Sequence, residues 1–435
     1  MEFYDVVIVG GGPAGFNAAK TVRELYPEKE LLLINDREDL QIPCSIPYVI
    51  GGKVPLEKNV YPLEKVKEFG KLLIDRVTAV EPSSGTIFTP KKRIRYEKLI
   101  LSTGWLPRRL NVPGCDLKGI YYIDTTTQGV RRIKEEVERA EKITLIGAGF
   151  ISLGFADQIS RNFKGKEIFV IEASNHIASG VFSEETEREI EEKLKKQGVK
   201  VLKNQKVEGF KGKERVEEVI TKEGSIKTDL VLTFIGFIPN TKLAVDGGIK
   251  VDNRGFIEVD HFLRTSADNV LAAGNCISHL CSIDGKKIPG MLASVSARDG
   301  RIAAINLLGP QVKDRGIVPS GITEVGGEFF GFSGYTKGEF KGNKVISTDA
   351  YPGSFPGCNP LTVKLFFNDK GELVGGEFKG KSRSVWALVE VVNRLIEERK
   401  RAIEIASLLN SAFPPTTPPP LLQPLQEVAL KALRS

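Results

Sequence analysis

Two glycine-rich turns, each entered from an apolar run and left into a helix-like stretch, constrain this chain more than any other feature. The first, Gly10-Gly11-Gly12-Pro13-Ala14-Gly15, follows Val6-Val7-Ile8-Val9 and leads into Phe16 to Tyr26. The second, Gly147-Ala148-Gly149-Phe150-Ile151-Ser152, follows Ile143-Thr144-Leu145-Ile146. Strand, tight turn and helix in this order build a pyrophosphate cradle. The first glycine permits the turn, the second lets the backbone approach the anion, the third lets helix and strand pack, and free N–H groups at the helix start hold the charge. Two copies predict an α/β chain with two doubly wound nucleotide-binding domains. Two bound dinucleotides imply electron transfer between them.

The residue that ends the next strand distinguishes the two cradles. After the second turn, Glu167-Ile168-Phe169-Val170-Ile171 ends at Glu172, where a carboxylate accepts from the adenosine ribose hydroxyls. A 2′-phosphate would meet like charge there, so NADH is expected over NADPH, with Lys166 and His176 near enough in sequence to soften the preference. After the first turn, Leu31-Leu32-Leu33-Ile34 ends at Asn35-Asp36. Asn35 is the better positional match and Asp36 the better ionic acceptor.

A chain of 435 residues has room for about three domains. No apolar run approaches the ~20 residues that span a bilayer, and the sequence opens directly in a strand, so a cytoplasmic protein is expected. The formal charge of +7 is spread among alternating basic and acidic stretches, which argues against a nucleic-acid footprint. Cysteines at 44, 115, 276, 281 and 358 form no CxxC pair, and their odd number argues against a disulfide framework. Cys276, His279 and Cys281 lie close together, but no fourth ligand stands at a zinc-site spacing, so no metal is expected.

Cys44 has a different setting, in Gln41-Ile42-Pro43-Cys44-Ser45-Ile46-Pro47-Tyr48-Val49-Ile50-Gly51-Gly52. A helix starting at this residue would lower the thiol pKa through its dipole and supply thiolate at neutral pH.

With these residues in hand the chain resembles the pyridine nucleotide-disulfide oxidoreductase family, and within it the single-cysteine group of coenzyme A-disulfide reductases, NADH oxidases and NADH peroxidases. Cys44-Ser45-Ile46-Pro47-Tyr48 matches that group's Cys-x-x-Pro-Tyr segment. Leu99-Ile100-Leu101-Ser102-Thr103-Gly104-Trp105-Leu106-Pro107 is similar to the exit from the FAD domain, and Phe234-Ile235-Gly236-Phe237-Ile238-Pro239-Asn240 to the return from the NADH domain. Asn269-Val270-Leu271-Ala272-Ala273-Gly274-Asn275-Cys276 resembles the second FAD motif. The resemblance carries further cofactor contacts onto Val77, Thr103, Gly104, Asn275, Leu292, Ala293 and Gly236, and basic positions for coenzyme A phosphates onto Arg23 and Lys71.

The resemblance also implies a domain map. FAD would be held by residues 1–114 and 246–318, and NADH by residues 115–245 inserted between them. Residues 319–435 would form an α+β dimerisation domain, with antiparallel strands such as Leu361 to Phe367, helices from Val385 to Leu409 and an extended Phe413 to Pro420. The partners implied are a second copy of the chain and a small disulfide, persulfide or oxygen acceptor, with a redox protein as the alternative.

In this family hydride passes from NADH to flavin, and the electrons then reach an oxidised Cys44. A mixed disulfide at Cys44 would make a disulfide reductase, a persulfide a sulfur reductase, and a sulfenic acid a peroxidase or water-forming oxidase. Several residues depart from the pattern. No histidine occurs between Met1 and Cys44, which lowers the peroxide branch. Pro43 replaces an asparagine, and Ala412 and Phe413 stand before Pro414-Pro415 where a tyrosine is usual. Gly154 replaces a glutamate near the nicotinamide, Phe150 a tyrosine lid, Ser152 the third glycine, and Asn275 an aspartate of the flavin site.

Overall fold

Val6 to Val9 are buried on both faces, as a strand covered by helices on either side must be. In the computed structural model, which describes residues 2–337, 344–348, 361–381, 385–408 and 424–433, their strand lies inside a seven-stranded sheet. The strand order is Lys71–Ile74, Leu31–Asn35, Glu2–Val9, Arg93–Leu101, Thr86–Phe88 and Ala79–Glu81. Val270–Ala272, distant in sequence, also pairs with Arg93–Leu101. The pairings from Lys71–Ile74 to Arg93–Leu101 are parallel and the last two antiparallel.

A second sheet of five strands, all parallel, runs Val199–Leu202, Glu167–Ile171, Lys142–Ile146, Leu230–Thr233 and Ile120–Tyr122. Each glycine turn therefore sits at the carboxyl end of a central parallel strand, where doubly wound sheets bind their ligands. The chain crosses between the two sheets at Trp105–Pro107 and returns at Phe237–Pro239, and these segments pair antiparallel with Leu106 opposite Ile238. Trp105 and Phe237 pack there with ring centroids 3.8 Å apart.

Five later strands form an antiparallel sheet in the order Ser320–Val325, Glu328–Gly334, Leu373–Gly380, Leu361–Phe367 and Lys344–Thr348. Helices Val385–Glu397, Ala402–Ala406 and Pro424–Ala432 follow. The proline-rich run Phe413 to Pro420 and Cys358 lie outside the described residues. Among the described residues no helix is long and apolar enough to cross a membrane.

Buried polar contacts join this sheet to the second nucleotide fold. Ser183 begins the helix Glu184–Lys196 without a side-chain cap of its own. The buried Glu377 carboxylate takes that place, accepting from Ser183 Oγ at 2.8 Å and Thr186 Oγ1 at 2.7 Å, because an anion is favoured at a helix start. Asp157, fully buried, accepts from Gln158 Nε2 at 2.8 Å, Gln197 Nε2 at 2.9 Å and Gly326 N at 2.8 Å.

Candidate active site

The three glycines of the first turn have three different surroundings. Gly10 holds φ +107°, and a Cβ there would overlap the Ser102 carbonyl. A Cβ on Gly15 would overlap the Gly10 carbonyl, so helix and strand pack through it. At Gly12 an added Cβ meets no atom within 4 Å, since this residue faces the mouth of the cradle. Helix Pro13–Leu25 begins at Gly12 with no side-chain cap, which leaves its first-turn N–H groups for an anion.

This turn forms one wall of a cavity of about 1620 Å³. Gly10, Gly12, Pro13, Ala14, Asn35, Asp36, Val77, Thr103, Gly104, Asn275 and Ala293 line it, and so does Cys44. Gly15 packs behind the wall, and Leu292 precedes the helix Ala293–Ile305 as its N-cap residue. Sequence reasoning missed Arg37, Arg76, Arg109, Arg131 and Arg132, which also line the cavity. Their signal, single arginines at 37 and 76 and the pairs Arg108-Arg109 and Arg131-Arg132, was too dispersed along the chain to mark a site. The fit to FAD is good: a large open cleft, a glycine cradle with room at Gly12, uncapped N–H groups and arginines to meet phosphate.

The ambiguity at the end of Leu31–Asn35 resolves into two roles. Asn35 is buried, and its Oδ1 accepts from Gly11 N at 2.8 Å. Asp36 is exposed and pairs with Arg37 at 3.0 Å. The second turn repeats the inner contact, with Glu172 Oε2 accepting from Ala148 N at 2.8 Å and Oε1 from Ser174 N at 2.9 Å. Gly147 has φ +91° and Gly236 φ +95°. Gly149 caps the helix Phe150–Asn162 with no side-chain bond, and Phe150 packs on Phe182 and Phe332 at centroid distances of 5.8 and 5.6 Å. Ile151 is half-buried on the same helix and packs on the core of the second sheet.

Neither Lys166 nor His176 is free to meet a 2′-phosphate. Lys166 Nζ donates to the Glu138 carbonyl at 3.0 Å and also to that of Ala140, while His176 Nδ1 lies 3.0 Å from Glu187 Oε2. NADH should therefore bind about fivefold tighter than NADPH, with Glu172→Ala closing most of that gap, as the repulsion it removes is worth on the order of 1 kcal/mol. Titration of both nucleotides by fluorescence checks this, and a wild type that binds NADPH better refutes it.

Cys44 lies in the short turn Pro43–Ser45, ahead of the five-residue helix Ile46–Ile50. The expectation that a helix dipole lowers its thiol pKa is not met. So short a helix has little dipole to offer, and the residue, though exposed, lines the cavity wall. Burial pushes the thiol above its ordinary value, and a hydrogen bond from its own peptide pulls it only partly back. In FAD-free protein, alkylation of Cys44 should rise with pH through a midpoint above that of an ordinary thiol, because only the thiolate reacts. FAD loading should lower the midpoint; an unchanged midpoint would mean that the flavin does not stabilise the thiolate.

Four residues after Cys44, burial and then the Glu324 carboxylate push Tyr48 up to about 12. Glu324 pairs with Lys53 at 3.0 Å and Arg161 at 3.2 Å, so charge contacts bind the cysteine segment, the helix Phe150–Asn162 and the C-terminal sheet. Gly154 lets that helix approach: a Cβ there would stand 3.3 Å from Pro47 Cγ. Arg23 and Lys71 do not line the cavity. Arg23 donates to the carbonyls of Phe69 and Pro27, and Lys71 sits over the Tyr4 ring at 5.0 Å.

Known proteins resemble this chain in sequence and fold. The chain is 31% identical over 396 residues to the "NAD(P)H sulfur oxidoreductase (CoA-dependent)" of Pyrococcus furiosus, covering 87% of this chain and 89% of the relative. It is 26% identical to an "NADH oxidase" of Methanocaldococcus jannaschii, with 98% of each chain covered. The fold matches that of an NAD-dependent persulfide reductase from A. fulgidus with a TM-score of 0.89 at 24% identity, over 99% of this chain and 83% of that one. Residues 4–300 match the family described as pyridine nucleotide-disulphide oxidoreductase, and with two glycine cradles, each at the end of a parallel strand pair, the chain belongs to that family of FAD- and NAD(P)H-dependent oxidoreductases.

Proposed function

We propose that this enzyme passes electrons from NADH through FAD and Cys44 to a low-molecular disulfide such as coenzyme A disulfide, or to a persulfide or polysulfide. The observation that carries this reading is the Cys44 thiol in the wall of the cavity that also holds Gly10, Gly12 and Thr103. The printed name of the Pyrococcus furiosus relative supports the sulfur acceptor. Residues 1–114 and 246–318 would hold FAD, residues 115–245 NADH, and residues 319–435 a second copy of the chain. Exposed Trp386, Val391 and Ile403 on the C-terminal helices support that dimer. Four free thiols among the described residues fit a reducing cytoplasm.

Bound flavin supplies a two-electron carrier between nicotinamide and sulfur. The protein's own part centres on Cys44. Its thiolate attacks one sulfur of the acceptor, forming a Cys44–S–S bond as the acceptor's S–S bond breaks and a thiolate leaves. Two electrons, originating as the NADH hydride, then cleave the Cys44–S–S bond and return the Cys44 thiolate. The second sulfur leaves and takes up a proton. The Gly12 cradle and the cavity arginines would hold the FAD phosphates, while Glu172 would orient the NADH ribose.

An NADH oxidase is the second reading, favoured by the Methanocaldococcus jannaschii relative, and electron transfer to a ferredoxin-like protein the third. Anaerobic NADH oxidation assayed in parallel with coenzyme A disulfide, polysulfide and ferredoxin, and aerobically with oxygen, separates them. The proposal requires the highest kcat/KM with a sulfur acceptor, and preference for oxygen or ferredoxin overturns it.

A further inference from the structure

Behind the cavity wall, apart from the residues assigned above, lies a buried polar pair. His279 and Asp299 have side chains with 0% exposure. His279 Nε2–H donates to Asp299 Oδ2 at 2.7 Å, and the Gly274 N–H donates to the same oxygen at 3.2 Å. A carboxylate only accepts, so the imidazole hydrogen belongs on Nε2; Nδ1 has no partner among the described residues. Arg298 NH2 stands 3.6 Å from the other Asp299 oxygen but is committed to Asp314 at 2.7 Å.

The pair is placed to act on the cavity. Asp299 lies one turn after Ser296 on the same face of the helix Ala293–Ile305, and Ser296, which lines the cavity, donates to Asn275 Oδ1 at 3.4 Å. Gly274 turns with φ +81° and is wedged against the first cradle: a Cβ on it would stand 2.9 Å from Ala14 Cβ. His279 is held in turn by the hairpin Ser278–Leu280 and Lys287–Pro289, and a Cβ on Gly290 would stand 2.7 Å from its Cε1. Burying a carboxylate is unfavourable unless hydrogen bonds offset it. An apolar pair would fill the same space without that cost, so the core alone does not explain this one.

We propose that His279 and Asp299 are positioning residues that fix the Gly274–Asn275 turn of the FAD cavity, the Asp299 charge thereby also setting how readily bound flavin is reduced. This rests on the assignment of that cavity to FAD. It is tested on holoenzyme carrying Asp299→Asn, His279→Gln or His279→Leu, by the rate of FAD release on dilution and by the flavin reduction potential from dye equilibration. Losing a buried hydrogen-bond partner should speed FAD release about tenfold in His279→Leu, whereas His279→Gln, which keeps an N–H donor, should stay within about threefold of the wild type. Asp299→Asn removes a buried negative charge and should move the potential to a more positive value. Wild-type potential in Asp299→Asn, or equal FAD release in His279→Gln and His279→Leu, overturns the proposal, and the second comparison decides it if Asp299→Asn does not fold. A wild type free of FAD would overturn the cavity assignment as well; a flavinated wild type with unaltered variants overturns only the positioning role.

Discussion

Cys44→Ser should lose reduction of the best sulfur acceptor by at least about a thousandfold while remaining fully flavinated, because a serine hydroxyl cannot supply the anionic sulfur nucleophile that the exchange requires. The substitution touches neither glycine cradle. Cys44 lies in a three-residue turn open to the cavity and belongs to none of the hydrophobic cores, so stability should change by less than about 0.5 kcal/mol. Reduction of the flavin by NADH in a stopped-flow experiment should keep its wild-type rate, and slow reaction with oxygen to give peroxide should survive. The long-wavelength absorption expected of a thiolate beside flavin in the two-electron-reduced enzyme should vanish. Full sulfur reduction by Cys44→Ser would make Cys44 structural and leave the electron-transfer reading in its place.

Gly12→Val should yield folded protein without FAD. Gly12 has φ −68° and ψ −171°, a conformation any residue adopts, and an added Cβ meets nothing of the protein within 4 Å. The new side chain would fill the space needed by a pyrophosphate, so FAD affinity should fall at least about a hundredfold, or roughly 2.7 kcal/mol. Thermal unfolding of the FAD-free forms should be nearly the same for wild type and variant. The neighbouring glycines should behave differently. Gly10→Ala and Gly15→Ala place a Cβ on the carbonyls of Ser102 and Gly10 and should lower the stability of the FAD-free protein itself. Absorbance at the flavin peak with calorimetry separates the two effects, and a fully flavinated Gly12→Val would remove FAD from this cavity.

The glycine turns were legible because each of their properties is local. A tight turn after a buried strand needs positive φ at its first residue, and Gly10 and Gly147 have it. The strand-end residue was legible by position but not by role. Sequence left Asn35 and Asp36 as alternatives, and only the register of the parallel strands aimed the Asn35 amide at Gly11 N. The cavity arginines were not legible, since Arg37, Arg76, Arg109 and Arg131 meet only after the chain has crossed between two sheets.

The two nucleotide folds, their order and the Cys44 segment between the cradles could be read from the chain alone, since short-range sterics and hydrophobic patterning decide those features within a few dozen residues. Tertiary structure alone decided the state of the Cys44 thiol, the engagement of Lys166 and His176 away from Glu172, and the burial of His279 against Asp299. Each of these depends on desolvation or on a partner distant in the chain. Both are properties of the packed molecule, because a charge or proton responds to everything within several ångströms, whichever part of the sequence supplies it.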